Sequence, residues 1–262
     1  MVKVINFDDV RYVRGGRAIL NGINWTVDSS QRWVILGPNG AGKSTMLKIA
    51  GVSDYPTSGT VDVLGERLGR VDIFELRTAI GIVTRAHERR IPLDETVFNV
   101  VLTAAYSVAG RWHEQYDELD EKRAHRVLAE WHLTDLAERT FGTLSDGERK
   151  RVMLARAVMT DPELLLLDEP AANIDLGGRE QLLQMLSGFA KSPDSPAMIM
   201  VTHHVEEIPP GFTHMLLLGR DGKPKAQGAI SEVLTSENLS AAFGVELKIS
   251  SESDRYFAVA AA

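Results

Sequence analysis

Residues 37 to 45 read Gly-Pro-Asn-Gly-Ala-Gly-Lys-Ser-Thr and follow directly on the apolar run Trp33-Val34-Ile35-Leu36. Gly37, Gly40 and Gly42 open backbone angles closed to residues with a Cβ, so successive amides can converge on an anion. A helix opening near Lys43 adds unpaired N–H groups and the positive end of its dipole. On this reading the backbone from Gly37 through Pro38, Asn39, Gly40, Ala41 and Gly42 to Thr45 wraps a phosphate chain. Lys43 reaches the β- and γ-phosphates, and the Ser44 hydroxyl ligates Mg²⁺. A glycine-rich structural turn is the alternative; the strand before the loop and the helix after it favour a nucleoside triphosphate.

The remaining composition sets limits. A chain of 262 residues can bury a large core, as one domain or two subdomains. Its net charge of -7 argues against a general basic field for nucleic acid. It has no cysteine, which excludes disulfides and thiolate metal sites and fits a reducing cytoplasm. No apolar stretch approaches the ~20 residues that cross a bilayer, so any membrane span belongs to another chain. The opening residues Met1 to Asp9 alternate and carry acids, unlike a secretory leader.

Residues 2 to 7 and 23 to 27 alternate like strands, with Gly15-Gly16 and Asn21-Gly22 as turn signals, which predicts an antiparallel sheet beside the nucleotide core. Residues 60 to 64 and 80 to 84 are short β-rich runs, and Gly51 ends the helix that follows the loop. From Pro92 to about Arg139 the pattern turns helical, through Val97, Val100, Val101 and Ala104, then Val127, Leu128 and Trp131. The acids Glu114, Asp117, Glu118, Asp120 and Glu121 between them read as a solvated helix face. Strand character returns at Leu164 to Leu167, Ala197 to Thr202 and His214 to Leu218, separated by helical segments, which predicts a parallel sheet.

The run Leu164 to Leu167 ends in Asp168-Glu169-Pro170. A buried parallel strand that ends in acids places them where α/β folds bind ligands. Asp168 would hold Mg²⁺, directly or through water, and Glu169 would accept a proton from water attacking the γ-phosphate. An ordinary acidic helix cap is the alternative for either residue; the phosphate loop favours the catalytic reading.

Leu144-Ser145-Asp146-Gly147-Glu148 precedes a long helical stretch from Arg149 to Ala157 that leads to the Asp168 strand. With the phosphate loop, the acidic pair, Ala172-Asn173-Ile174-Asp175 and Thr202-His203 in this order, the chain resembles the ATP-binding-cassette (ABC) ATPases over nearly its whole length. That resemblance implies an α/β fold with a RecA-like parallel sheet core, an N-terminal antiparallel β subdomain and a helical subdomain. The whole of 1–262 forms one cassette, with 1–88 and 150–262 as the core and 89–149 as the helical subdomain. It implies ATP and Mg²⁺ as cofactors, and two cassettes facing head to tail. Each ATP then lies between the loop of one subunit and the signature of the other, with Ser145 and Gly147 reaching the partner's γ-phosphate. His203 takes the place of the switch histidine that bridges the γ-phosphate and the opposing subunit; a capping or core histidine is the alternative.

Departures from the family pattern are specific. Asp146 stands for a glycine and Glu148 for a glutamine in the signature, and Arg85 stands where a glutamine follows the strand near Val83. An arginine turned inward would repel the metal, so Arg85 is expected to face solvent or a partner, leaving Glu88 or water to fill the metal shell. Tyr12 or Arg14 is expected on adenine, by stacking or through a planar guanidinium. The implied function is the ATPase subunit of a transporter, a single cassette that forms a homodimer with ATP and works on separately encoded membrane permease subunits at the cytoplasmic face. The alternative is a soluble member acting in assembly, repair or translation, whose usual marks, a second cassette or a long coiled-coil insertion, this chain lacks. Trp33, Arg85 and the ending Glu237-Asn238-Leu239 with Phe243-Gly244 resemble single cassettes of metal or molybdate uptake.

Overall fold

The computed structural model describes residues 2–106, 108–110 and 116–261. In chain order the chain runs through β1 (Lys3–Arg14), β2 (Arg17–Asp28), β3 (Arg32–Leu36), α1 (Lys43–Ala50), β4 (Ser58–Val63), β5 (Glu66–Arg67), α2 (Ile73–Thr78) and β6 (Ile80–Val83). Next come α3 (Arg85–Glu88), α4 (Val97–Leu102), α5 (Glu118–Glu130), α6 (Asp146–Val158), β7 (Leu164–Asp168), α7 (Leu176–Lys191) and β8 (Ala197–Thr202). The chain closes with β9 (His214–Leu218), β10 (Pro224–Ala229), α8 (Ile230–Val233), α9 (Ser236–Phe243), β11 (Leu247–Glu252) and β12 (Arg255–Ala260).

The predicted parallel sheet is present, in the order β10-β9-β3-β8-β7-β6. Strands β9, β3, β8, β7 and β6 run parallel, and β10 closes one edge antiparallel to β9. Both faces are covered, which is why these strands read as unbroken apolar runs. The pleat still sorts the side chains. Trp33, Ile35, Leu164, Leu166, Ile199 and Val201 face a core shared with β1, β2, β4 and α1. Val34, Leu36, Leu165, Leu167, Met198 and Met200 face a second core shared with α4, α5, α6 and α7. Each fully buried aliphatic contributes about 1.5–3 kcal/mol, so these two cores hold the sheet in its layer.

The antiparallel sheet has the order β2-β1-β4-β5. Gly15-Gly16 makes its first hairpin turn, as expected, with both residues at positive φ. Asn21-Gly22 does not: it lies inside β2, where pairing passes from Val10 with Ile23 to Arg11 with Asn21 and skips Gly22. An Asn-Gly pair marks left-handed backbone, which serves a bulge as readily as a turn; continued pairing with β1 selects the bulge. Of the acidic group, Glu114 lies outside the described residues. Asp117 is the N-cap of α5, accepting from the N–H groups of Leu119 and Asp120, and Glu118 forms an exposed ion pair with Lys122. Among the described residues of 92 to 139, α4, α5 and the 3-10 turns at 103–106 and 134–136 are helical, with Val97, Val100, Val101, Val127, Leu128 and Trp131 buried.

Helix α6 crosses β6 at very close range. A Cβ at Gly81 would lie 2.4 Å from the Ala157 carbonyl oxygen and 3.0 Å from Leu165 and Pro162. Backbone on one side and packed side chains on the others leave no direction for relief. Gly81→Val is therefore expected to lower stability by about 1–3 kcal/mol, the usual cost of overpacking, read as a fall in the urea midpoint at unchanged m-value.

Candidate nucleotide site

The loop after β3 is shaped by backbone crowding as well as by torsion. A Cβ at Gly37 would lie 2.5 Å from the Leu218 carbonyl oxygen, and one at Gly42 would lie 2.6 Å from Leu20. Gly42 is also the left-handed N-cap of α1, at φ 95°. The loop thus passes between β9 and β2 only because these positions lack side chains. Lys43, the first residue of α1, is 5% exposed, and its ammonium donates to the carbonyl oxygens of Gly37 at 2.8 Å and Pro38 at 3.0 Å. Burial pushes its pKa below the ordinary lysine value, and the nearby carboxylates of Glu169 and Asp168 pull the other way.

Those carboxylates come from the end of β7. The Ser44 hydroxyl donates to Asp168 Oδ1 at 3.0 Å. Burial raises the Asp168 pKa, the bond from Ser44 opposes it, and the charge of Glu169 adds to the rise. A half-buried hydroxyl and carboxylate in contact are the hard oxygen donors that Mg²⁺ takes, so the donor set fits that ion. Glu169 sits in the left-handed region at φ 49°, and its N–H donates to the Val201 carbonyl at 3.0 Å on neighbouring β8. That posture turns its side chain toward the residue after β8: Glu169 Oε1 and His203 Nδ1 lie 3.1 Å apart. The sheet therefore brings Lys43, Ser44, Asp168, Glu169 and His203 together at the carboxyl ends of three adjacent strands, where open α/β sheets bind ligands.

Ser145 and Gly147 stand apart. Among the described residues no hydrogen bond or ion pair joins either to Lys43, Asp168 or Glu169. Ser145 is the N-cap of α6 in a capping box, accepting from the Glu148 N–H at 3.3 Å while Glu148 Oε2 accepts from the Ser145 N–H at 2.7 Å and hydroxyl at 3.0 Å. This explains Glu148 in the signature: it satisfies orphan donors and places negative charge at a helix N-terminus. The Ser-x-x-Glu spacing made this box legible in the sequence, yet the glutamate was read only as a departure. The start of α6 faces the turn before α7, with a Cβ at Gly147 falling 3.8 Å from Ile174 and 3.9 Å from Gly178.

Arg85 is exposed, as expected, at the start of α3, whose N-cap Thr84 accepts from the His87 N–H. Among the described residues no hydrogen bond or ion pair joins Glu88 to Ser44 or Asp168. The Glu88 carboxylate takes the ammonium of Lys150 at 3.0 Å, and Lys150 is almost fully buried in α6, so a buried charge holds it there. Tyr12 is half-buried and its hydroxyl donates to Asp54 Oδ2 at 2.6 Å, a bond that raises the phenol pKa; Arg14 is exposed at the end of β1.

The capping box makes a pH-dependent contribution. Burial works against the Glu148 carboxylate, but the N–H and hydroxyl of Ser145 and the charges of Arg139 and Arg151 outweigh it and hold the pKa below its ordinary value. The stabilisation is present above the unfolded pKa of about 4.3 and is lost as pH falls through the lower folded value. Glu148→Ala should cost about 1 kcal/mol at pH 7, with the difference from the parent shrinking below about pH 4 in urea titrations.

The family model described as "ABC transporter" matches residues 20–172. The ABC transporter ATP-binding protein YlmA of Bacillus subtilis (strain 168) is 38% identical, over 97% of this chain and 96% of its own. The cobalt import ATP-binding protein CbiO of Rhodobacter capsulatus is 34% identical over 84% of this chain and 75% of its own. Among solved structures, a putative metal-chelate type ABC transporter in an inward-facing conformation superposes with a TM-score of 0.77 at 24% identity, covering 98% of this chain and 96% of the other. A dimeric cassette in a post-hydrolysis state with ADP and Pi superposes with a TM-score of 0.73 at 25% identity, covering 86% and 98%. On its sequence relatives, its fold and the loop, acids and histidine gathered at the carboxyl ends of the central strands, the chain belongs to the ABC transporter ATP-binding family and is an ATP-hydrolysing cassette.

Proposed function

We propose that two copies of this chain close head to tail around two ATP molecules and drive a separately encoded membrane permease. The observation that carries this reading is the split of the chemistry. Lys43, Ser44, Asp168, Glu169 and His203 converge at the carboxyl ends of the central strands, whereas Ser145 and Gly147 face elsewhere and meet a nucleotide only across a subunit interface. Dimeric cassettes among the solved relatives support the arrangement.

In this proposal the amides of residues 37 to 45 and the Lys43 ammonium hold the β- and γ-phosphates. Ser44 and Asp168 would hold Mg²⁺, which when bound supplies positive charge against the phosphate oxygens. Glu169 takes a proton from the attacking water, and His203 orients the Glu169 carboxylate through the 3.1 Å contact while reaching for the γ-phosphate. Loss of that phosphate removes the shared anion and releases the partner. Ser145 meets the partner's ATP by turning its hydroxyl from Glu148 toward the phosphate. Either Tyr12 or Arg14 packs on adenine; the bond from Tyr12 to Asp54 fixes its ring, whereas Arg14 is exposed. The 89–149 stretch acts as the subdomain that carries the signature.

No described helix is long and apolar enough to cross a membrane, which fits a subunit seated peripherally on permease chains at the cytoplasmic face. The solved cbiO1 relative is part of a CbiONQ transporter complex, and zinc and cobalt import ATP-binding proteins stand among the relatives. Cargo is read by the membrane chains.

Lys43→Ala is expected to abolish ATP binding in equilibrium titrations; retained micromolar affinity would contradict the phosphate role. Glu169→Gln should slow turnover by about 10² to 10⁴ while sparing ATP binding, and should accumulate an ATP-bound dimer in size-exclusion with light scattering. A strictly monomeric Glu169→Gln variant in ATP and Mg²⁺ sinks the head-to-tail model. Affinity capture from detergent-solubilised membranes should recover permease subunits; soluble partners alone would favour a role in assembly, repair or translation.

A further inference from the structure

The hairpin β11–β12 lies beyond the stretch that the family model matches, and its second strand packs along the 3-10 turn at Val205–Glu207. That turn begins two residues after His203. It is knotted from within: the buried Glu207 carboxylate accepts from the Thr202 hydroxyl, and the Thr202 hydroxyl accepts from the His204 N–H at 3.1 Å. Any displacement of 205–207 therefore moves Thr202, His203 and His204 together.

Arg255, the first residue of β12, ties this turn to helix α7. Its guanidinium donates to Glu180 Oε2 at 2.6 Å and Oε1 at 3.3 Å, and also to the Glu206 carbonyl oxygen. The Ala258 N–H adds a bond to Glu206 Oε1 at 3.4 Å. The guanidinium is partly buried, at 19% exposed, and its Nε has no hydrogen-bond partner among the described residues. A planar fork that engages a carboxylate on two oxygens and a carbonyl at once has one geometry, which a flexible ammonium does not reproduce. Helix α7 is itself anchored at its start, where Asp175 accepts from the Gly178 N–H at 2.7 Å in the segment that faces Gly147.

We propose that Arg255 is a positioning residue for hydrolysis: by clamping the 205–207 turn to α7 it sets His203 against Glu169. The clamp touches no reacting atom and acts through the turn. This rests on the roles given above to His203 and Glu169. It also gives the hairpin a task, since anything that pulls β12 away from α7 slackens the histidine without touching the nucleotide loop.

The test uses the full chain with Arg255→Met, which keeps the aliphatic stem, alongside Arg255→Lys and Glu180→Gln. Arg255→Met should lower kcat about ten- to a hundred-fold, as misplacement of an orienting group does, with KM for ATP and equilibrium ATP affinity within about twofold. Arg255→Lys should restore part of kcat, and Glu180→Gln should fall between it and the parent. In ¹⁵N spectra the His203 ring signals of Arg255→Met should shift toward those of a Glu169→Gln variant. A folded Arg255→Met chain with parental kcat and parental His203 signals overturns the proposal, as does a lowered melting temperature with unchanged kcat. Should Arg255→Met fail to fold, Glu180→Gln decides by the same two readouts. Full activity in Glu169→Gln would instead refute the underlying catalytic reading, so the two failures are separable.

Discussion

Burial of the parallel sheet on both faces is the constraint on which everything else depends. With Leu164 to Leu167 and Ala197 to Thr202 buried throughout, side chains along the strands are committed to two cores. Polar chemistry is left to the strand ends. Because β3, β8 and β7 are neighbours in register, Gly37 and His203 follow strands that end beside Asp168, the last residue of β7. The site is thus a by-product of packing: the phosphate loop meets two segments more than a hundred residues further along the chain because the strands that carry them must lie together.

Within that site, burial and charge oppose each other. Burial lowers the Lys43 pKa and raises that of Asp168; opposite charge nearby opposes each shift, while the Ser44 hydroxyl donates to Asp168 and the Lys43 ammonium donates to the loop carbonyls. Left-handed backbone at Glu169 brings its side chain to His203. Conformations of this kind cost free energy and persist where the surrounding structure holds them, which here is the bond from the Glu169 N–H to Val201.

The chain's departures from the family pattern resolve into local physics. Glu148 completes the cap that starts α6, and α6 in turn carries the buried Lys150 that holds Glu88 at the end of α3. The segment with Arg85 is thereby tied to the signature helix through an ion pair, while the arginine itself points outward. Beside the histidine, the hairpin at 247–260 binds α7 and the 205–207 turn through Arg255. The two links are made by charged groups held in partly buried settings, where pairing is worth more than at the surface.

Much of this was legible in the sequence. The phosphate loop is local, because its glycines and its lysine act on backbone within a few residues. The apolar runs before Gly37, Asp168 and His203 announced buried strands, and helical periodicity announced α4 and α5. What the sequence could not decide were pairings across long separations. Asn21-Gly22 signalled left-handed backbone but not whether a turn or a bulge would use it; pairing with β1 chose the bulge. Glu88 was available for a metal until Lys150, 62 residues away, took it. Arg255 carried no motif at all. Its partners Glu180 and Glu206 are set by how the final hairpin lies across α7, and only tertiary packing supplies that geometry, because a guanidinium finds its carboxylate by position in space and not by spacing along the chain.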